Sequence, residues 1–146
     1  MTKTHVLLQR AEMDDFWALP GGHVEIGETA AEALQRELLE EIEAAVQVGR
    51  LLWVVENFFS YAKQAHHEIG LYFQVFFAPG DPLLQAESFY GVETAEPLIG
   101  HPFRLEFRWF PRQVEVLTRL PVLPAFLQEG LVNLPAFPNL ILERDA

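Results

Sequence analysis

Residues 22–44 hold seven glutamates and one arginine, Arg36. Three of the acids, Glu37, Glu40 and Glu41, stand at i, i+3 and i+4, which on a helix places them on one face. Like charges at that spacing cost a few tenths of a kcal/mol per pair, so the arrangement calls for a compensating cation. A magnesium or manganese ion suits it, because hard cations take carboxylate oxygens and keep several waters for a substrate's phosphates. Such an ion bridges phosphate oxygens, neutralises charge on a leaving group and lowers the pKa of bound water. Substitution at phosphorus is the chemistry that follows.

The remaining positions fall in a fixed order. Gly22 is followed after five residues by Glu28, after seven more by Arg36 and Glu37, and then by Leu38, Glu40 and Glu41. This spacing, with Leu19, Pro20 and Gly21 ahead of it, resembles the signature of the Nudix hydrolases, and the resemblance extends over most of the chain. It implies that Glu37 and Glu41 bind metal directly, that Glu40 is a ligand or general base, and that the carbonyl of Gly21 or Gly22 also coordinates. Glu28 and Arg36 would be an orienting pair fixing the loop to the helix. The glycines permit a sharp bend and close approach.

The implied reaction is metal-dependent hydrolysis of the diphosphate linkage in a nucleoside diphosphate derivative, releasing a nucleoside monophosphate. The implied cofactor is Mg²⁺ or Mn²⁺. Two rivals remain open: a catalytically silent Nudix-like module that senses a nucleotide, and a domain whose acidic helix only anchors calcium or magnesium. The first draws support from Glu43, where the family has glycine; the second leaves Arg36 and the glycine turn unexplained.

The helix carrying these acids has its own signals. Thr29 and Glu32 form a capping-box pattern, and no glycine or proline follows until past Ala45, so a helix is expected over residues 30–45. Ala31, Leu34, Leu38, Ile42 and Ala45 share one arc and should pack on a sheet. Glu37, Glu40 and Glu41 occupy the arc beside it, where side chains line a cleft. Glu43 falls on a third, solvated arc, and the helix is expected to run on through it.

Residues 5–9 read as a strand, and residues 13–20 as a loop turning at Gly21 and Gly22. Residues 51–59 and 67–77, rich in Val, Phe, Tyr and Trp, read as paired strands joined through Lys63 and Ala65. Both faces of that pair are apolar, suggesting a sheet covered on both sides. Residues 79–102, with four prolines and three glycines, read as a surface excursion. A strand is expected over 103–110, a short helix from Pro111 through Leu120, and another over 125–129 ending at Gly130. The fold class is α/β: a Nudix-like α/β/α sandwich with a mixed sheet, one domain over residues 1–146, lacking the family's usual first N-terminal strand. An edge left open that way invites pairing, which favours a homodimer.

Secondary site candidates lie outside the signature. Glu56 and Glu68 sit on strands flanking the cleft, and Tyr61 occupies a position where some family members carry a tyrosine that marks dinucleoside polyphosphate hydrolases. Glu106, and Glu93 or Glu96, are candidates for the later carboxylate that the family uses as base or further ligand. His66, His67 and Glu68 suggest a metal, but neighbouring strand residues point to opposite faces, so surface or substrate contacts are favoured. Trp17, Phe58, Tyr61 and Tyr72 offer rings for a base, with core packing the commoner role.

Composition limits the partners. Twenty-one acidic against ten basic residues give a net charge of −11, which repels a polyanion, so a nucleic acid polymer is not expected. A small nucleotide-type substrate reaches the acids only with divalent cations. The absence of cysteine excludes disulfides and thiolate chemistry. No apolar stretch spans a membrane, since Gln74 interrupts the longest, and residues 6–8 are too short for a signal peptide core. A cytoplasmic protein is expected.

Overall fold

The computed structural model describes residues 1–94 and 99–145. In chain order the elements are β1 (His5–Ala11), α1 (Ala30–Ile42), β2 (Val46–Tyr61), β3 (Gln64–Phe77), β4 (Ser88–Glu93), β5 (Phe103–Pro111), α2 (Val114–Leu117), α3 (Leu127–Gly130) and β6 (Asn139–Arg144). The strands form two three-stranded sheets, ordered β1-β5-β4 and β3-β2-β6. The first is antiparallel; in the second, β6 runs parallel to β2 with Trp53 opposite Asn139. The α/β architecture of the sequence reading holds, with its strands shared between two sheets.

Alternation along β1 separates two cores. Val6 and Leu8 point into a cluster with Trp17, Trp53, Val55, Leu117 of α2 and Leu127 of α3. Leu7, on the opposite face, packs with Leu38 and Ile42 of α1 and with Phe103, Leu105 and Phe107 of β5. Helices therefore lie on both faces of the β1–β5 ladder, and α1 is fixed on the second face.

Four expectations need correction. The helix ends at Ile42 and does not run on to Ala45. Ala44 is fully buried against Leu7 and Phe107, and the chain must enter β2 at Val46, so Glu43 turns through the left-handed region, φ 55 and ψ 29. The span 79–102 contains β4, which pairs antiparallel with β5. Its glycine and exposed Tyr90 and Val92 hide an edge strand whose stability comes from that partner.

The β2–β3 hairpin turns at Ala62 and Lys63 alone, both with positive φ (49 and 64), with Tyr61 paired to Gln64. Two left-handed residues match the strand twist in a two-residue loop, a conformation usually built with Asn and Gly. Finally, the hairpin is covered on one face only. Trp53 and Val55 are buried, but Ile69, Leu71, Leu140 and Leu142 on the other face are exposed, because β6 widens the sheet instead of capping it. Among the described residues no helix is long and apolar enough to cross a membrane.

Candidate metal centre

The Thr29 hydroxyl accepts from the Glu32 amide (3.1 Å) and the Glu32 carboxylate accepts from the Thr29 amide (3.0 Å), so the capping box starts α1 where the sequence places it. Two turns later Arg36 ties the preceding loop to the helix. Its Nε and Nη2 donate to the two oxygens of Glu28 (3.1 and 2.8 Å), and Nη2 also reaches the carbonyl of His23 (3.0 Å). Nη1 reaches Glu37 (3.0 Å) and Glu40 (3.3 Å). A planar fork held bidentately fixes both position and orientation, which an ammonium would not. The Arg36 bond holds the Glu28 carboxyl below the usual carboxylate range.

The glutamates of α1 divide. Glu40 points outward with its side chain 56% exposed. Glu37, its side chain 12% exposed, and Glu41, 7% exposed, turn inward and meet Glu93 from the end of β4. One carboxylate oxygen from each of the three lies within 4.8 Å of the others. Both oxygens of Glu41 are buried with no donor among the described residues. Burial first, then the carboxyls of Glu93 and Glu37, push the Glu41 pKa up to about 10; burial also raises that of Glu37 against the pull of Arg36.

Such a cluster is electrostatically incomplete. Buried acceptors without donors cost free energy unless a proton or a cation is shared among them. The all-oxygen donor set suits a hard divalent ion, so Glu37, Glu41 and Glu93 fit a magnesium- or manganese-type centre.

Glycines open the space. A Cβ at Gly22 would fall on the carboxyl group of Glu37, its Cγ only 2.6 Å away. A Cβ at Gly91 would collide with the Glu41 carbonyl oxygen, so β4 crosses α1 closely enough to bring Glu93 in only because that position is glycine. A hollow of about 270 Å³ runs beside this crossing, lined by Glu40, Glu41, Glu43, Tyr90, Gly91 and Val92.

The other candidates lie apart from the cluster. Glu106, on β5, bridges Arg10 (2.8 Å) and Arg108 (3.2 Å); burial works against its charge, but the two arginines outweigh it and hold its pKa low. The Tyr61 hydroxyl donates to Asp14 (3.1 Å), whose pKa is raised by burial despite that bond. Glu56 meets His67 (2.8 Å) on the outer face of the hairpin, where His67 stacks on Phe58; His66 stacks on Phe59. Glu68 is exposed opposite Asn57, and Trp17 and Tyr72 pack in or against the core. Glu96 lies outside the described residues. Sequence named Glu93 only as one of several acids after α1; the signal that singles it out is Gly91 two residues earlier on the same face, legible once β4 is known to be a strand.

The family model for the NUDIX domain matches residues 1–119. The putative ADP-ribose pyrophosphatase YjhB of Bacillus subtilis (strain 168) is 34% identical to the chain over 93 residues, covering 63% of the chain and 42% of that protein. The match thus spans less than half of the relative's own length.

Proposed function

The chain belongs to the NUDIX domain family, and on that footing we propose that it hydrolyses the diphosphate linkage of a nucleoside diphosphate derivative with a divalent cation, Mg²⁺ or Mn²⁺. The observation that carries this reading is the buried Glu41 carboxylate, without a donor among the described residues, beside Glu37 and Glu93. The name of YjhB, a putative ADP-ribose pyrophosphatase, agrees with it.

Glu37, Glu41 and Glu93 would hold the ion, and Gly22 leaves room for the Glu37 carboxyl. A cation held there would supply charge against the phosphate oxygens and acidity to the attacking water. Arg36 and Glu28 keep the glycine loop registered on the helix. Glu40 stands outside the cluster on the wall of the adjoining hollow and accepts the proton of the attacking water. The water oxygen bonds to phosphorus, the bridging P–O bond breaks, and a nucleoside monophosphate leaves with the phosphorylated remainder. Assembly as a homodimer belongs to the same proposal, supported by β1 standing at a sheet edge and by the apolar outer face of β3-β2-β6.

The test is a panel of nucleoside triphosphates, ADP-ribose and dinucleoside polyphosphates assayed with Mg²⁺ and Mn²⁺. Turnover abolished by EDTA and lowered at least about a hundredfold by Glu41→Gln supports the reading. Turnover that survives EDTA ends it, and tight nucleotide binding without turnover favours the sensor.

A further inference from the structure

We infer that Arg104, held against the ring of Tyr90, anchors a phosphate group of the substrate that the carboxylate cluster does not hold, and so helps select the substrate. The inference rests on the reading of that cluster as a phosphate-handling metal site, and extends it to the other side of β4.

Arg104 is exposed on β5, opposite Val92 of β4, while the next pair along, Phe103 and Glu93, faces α1. Arg104 and Glu93 thus stand one register position apart at the same end of the sheet, on opposite faces. Beside Arg104 a cleft of about 230 Å³ is lined by Arg10, Glu12, Asp14, Tyr90 and Glu106. Tyr90, 59% exposed, also lines the hollow next to Glu40 and Glu41. It is the shared wall of both spaces, so a ligand passing around the edge of β4 goes from the Glu41 carboxylate to Arg104.

The guanidiniums of this region differ in what they have left to give. Arg10 and Arg108 donate to Glu106, and Arg36 serves Glu28, Glu37, Glu40 and a carbonyl. The Arg104 side chain enters no hydrogen bond or ion pair among the described residues; its contact is with the Tyr90 ring, 4.7 Å from the centroid. Stacking occupies a face of the guanidinium and none of its five N–H donors. The Glu12 carboxylate, which lines the same cleft, instead accepts from the Arg104 backbone amide (3.1 Å). A pre-oriented fork without an acceptor among the described residues, in a chain of net charge −11, matches a phosphate, which accepts such a fork bidentately.

Inorganic pyrophosphate titrated calorimetrically into the Mg²⁺-loaded protein reads this contact without requiring turnover. Arg104→Ala weakens pyrophosphate binding about tenfold and flattens its dependence on salt, and Tyr90→Ala, which releases the guanidinium, weakens it to a smaller extent. Arg119→Ala, which removes an exposed arginine that does not line the cleft, leaves it unchanged. In steady-state assays Arg104→Ala raises KM for the preferred substrate about tenfold with kcat within about twofold. Wild-type protein that binds no pyrophosphate, equal affinity in wild type and Arg104→Ala, or an equal loss in Arg119→Ala overturns the inference. Absence of turnover across the substrate panel counts against the hydrolase reading alone, since the titration still reports on Arg104.

Discussion

The carboxyl group of Glu37 fills the space that a side chain on Gly22 would require. The neighbour in the way is the end of a flexible side chain, so a substitution there is accommodated by moving Glu37 and leaves the backbone in place. Gly22→Ala should therefore change unfolding free energy by no more than about 0.5 kcal/mol. Displacing one carboxylate of the cluster by about an ångström should lower hydrolysis about a hundredfold. Urea unfolding and rate assays on one preparation check both halves; a large stability loss with full activity contradicts the placement of Glu37.

At Gly91 the obstacle is backbone. A Cβ there meets the Glu41 carbonyl oxygen and approaches Ile42 Cγ2 at 3.0 Å, and neither β4 nor α1 can yield without opening the joint between them. Gly91→Ala should destabilise the fold by about 1–3 kcal/mol, the usual range for overpacking. It should also weaken Mg²⁺ binding by carrying Glu93 away from Glu37 and Glu41. Denaturant melts combined with metal titration separate this outcome from that at Gly22, where the fold keeps its stability.

Glu41 sets a pH dependence for the metal-free protein. Its native pKa, pushed up to about 10, lies above the ordinary 4.5 of the unfolded chain, so the native state keeps this proton where the unfolded state releases it. The group's contribution is complete below about 4.5 and is lost progressively as pH rises through about 10. The Met1 amine, lowered to about 6 from 8.0 by burial, opposes this trend between those two values but is common to wild type and variant. In EDTA, Tm of the wild type should therefore fall more steeply from pH 5 to 10 than that of Glu41→Gln. Mg²⁺ should restore it most at the alkaline end, where the carboxylate is already free of its proton. Parallel Tm profiles for the two proteins would show that Glu41 is not held protonated.

What could be read in advance follows from the range of the interactions involved. Thr29, Glu32, Arg36, Glu37 and Glu41 are related by helical spacing, so the start of α1 and the closeness of its acids are local facts carried by residue type. Glu28 is eight residues from Arg36, and its bidentate contact was legible only through the family resemblance. Glu93 joins from more than fifty residues away, through an edge strand whose composition reads as loop, and no local pattern distinguishes it from Glu106, which the structure gives to Arg10 and Arg108. The inward turn of Glu41 and the outward turn of Glu40 depend on where β4 crosses the helix. Spacing alone made them equivalent.

The end of α1 yields the last prediction. Glu43 adopts φ 55, and its amide donates to the Leu39 carbonyl (3.0 Å) while that of Ala44 reaches Leu38 (3.3 Å). A left-handed residue closes many helices in this way, and glycine is preferred because a Cβ costs about 1–2 kcal/mol there. Glu43 accepts that strain because burial of Ala44 and entry into β2 fix the turn. Glu43→Gly relieves it while giving back part of the gain through the greater freedom of the unfolded chain, leaving a net stabilisation of about 0.5–1 kcal/mol. For a domain of this size that is a rise in Tm of about 1–4 °C. Glu43 is exposed and outside the carboxylate cluster, on the rim of the adjoining hollow, so kcat should be unchanged and any effect confined to KM. A lower Tm in Glu43→Gly would mean that the side chain supplies an interaction exceeding its backbone strain; a loss of kcat would place Glu43 in the chemistry.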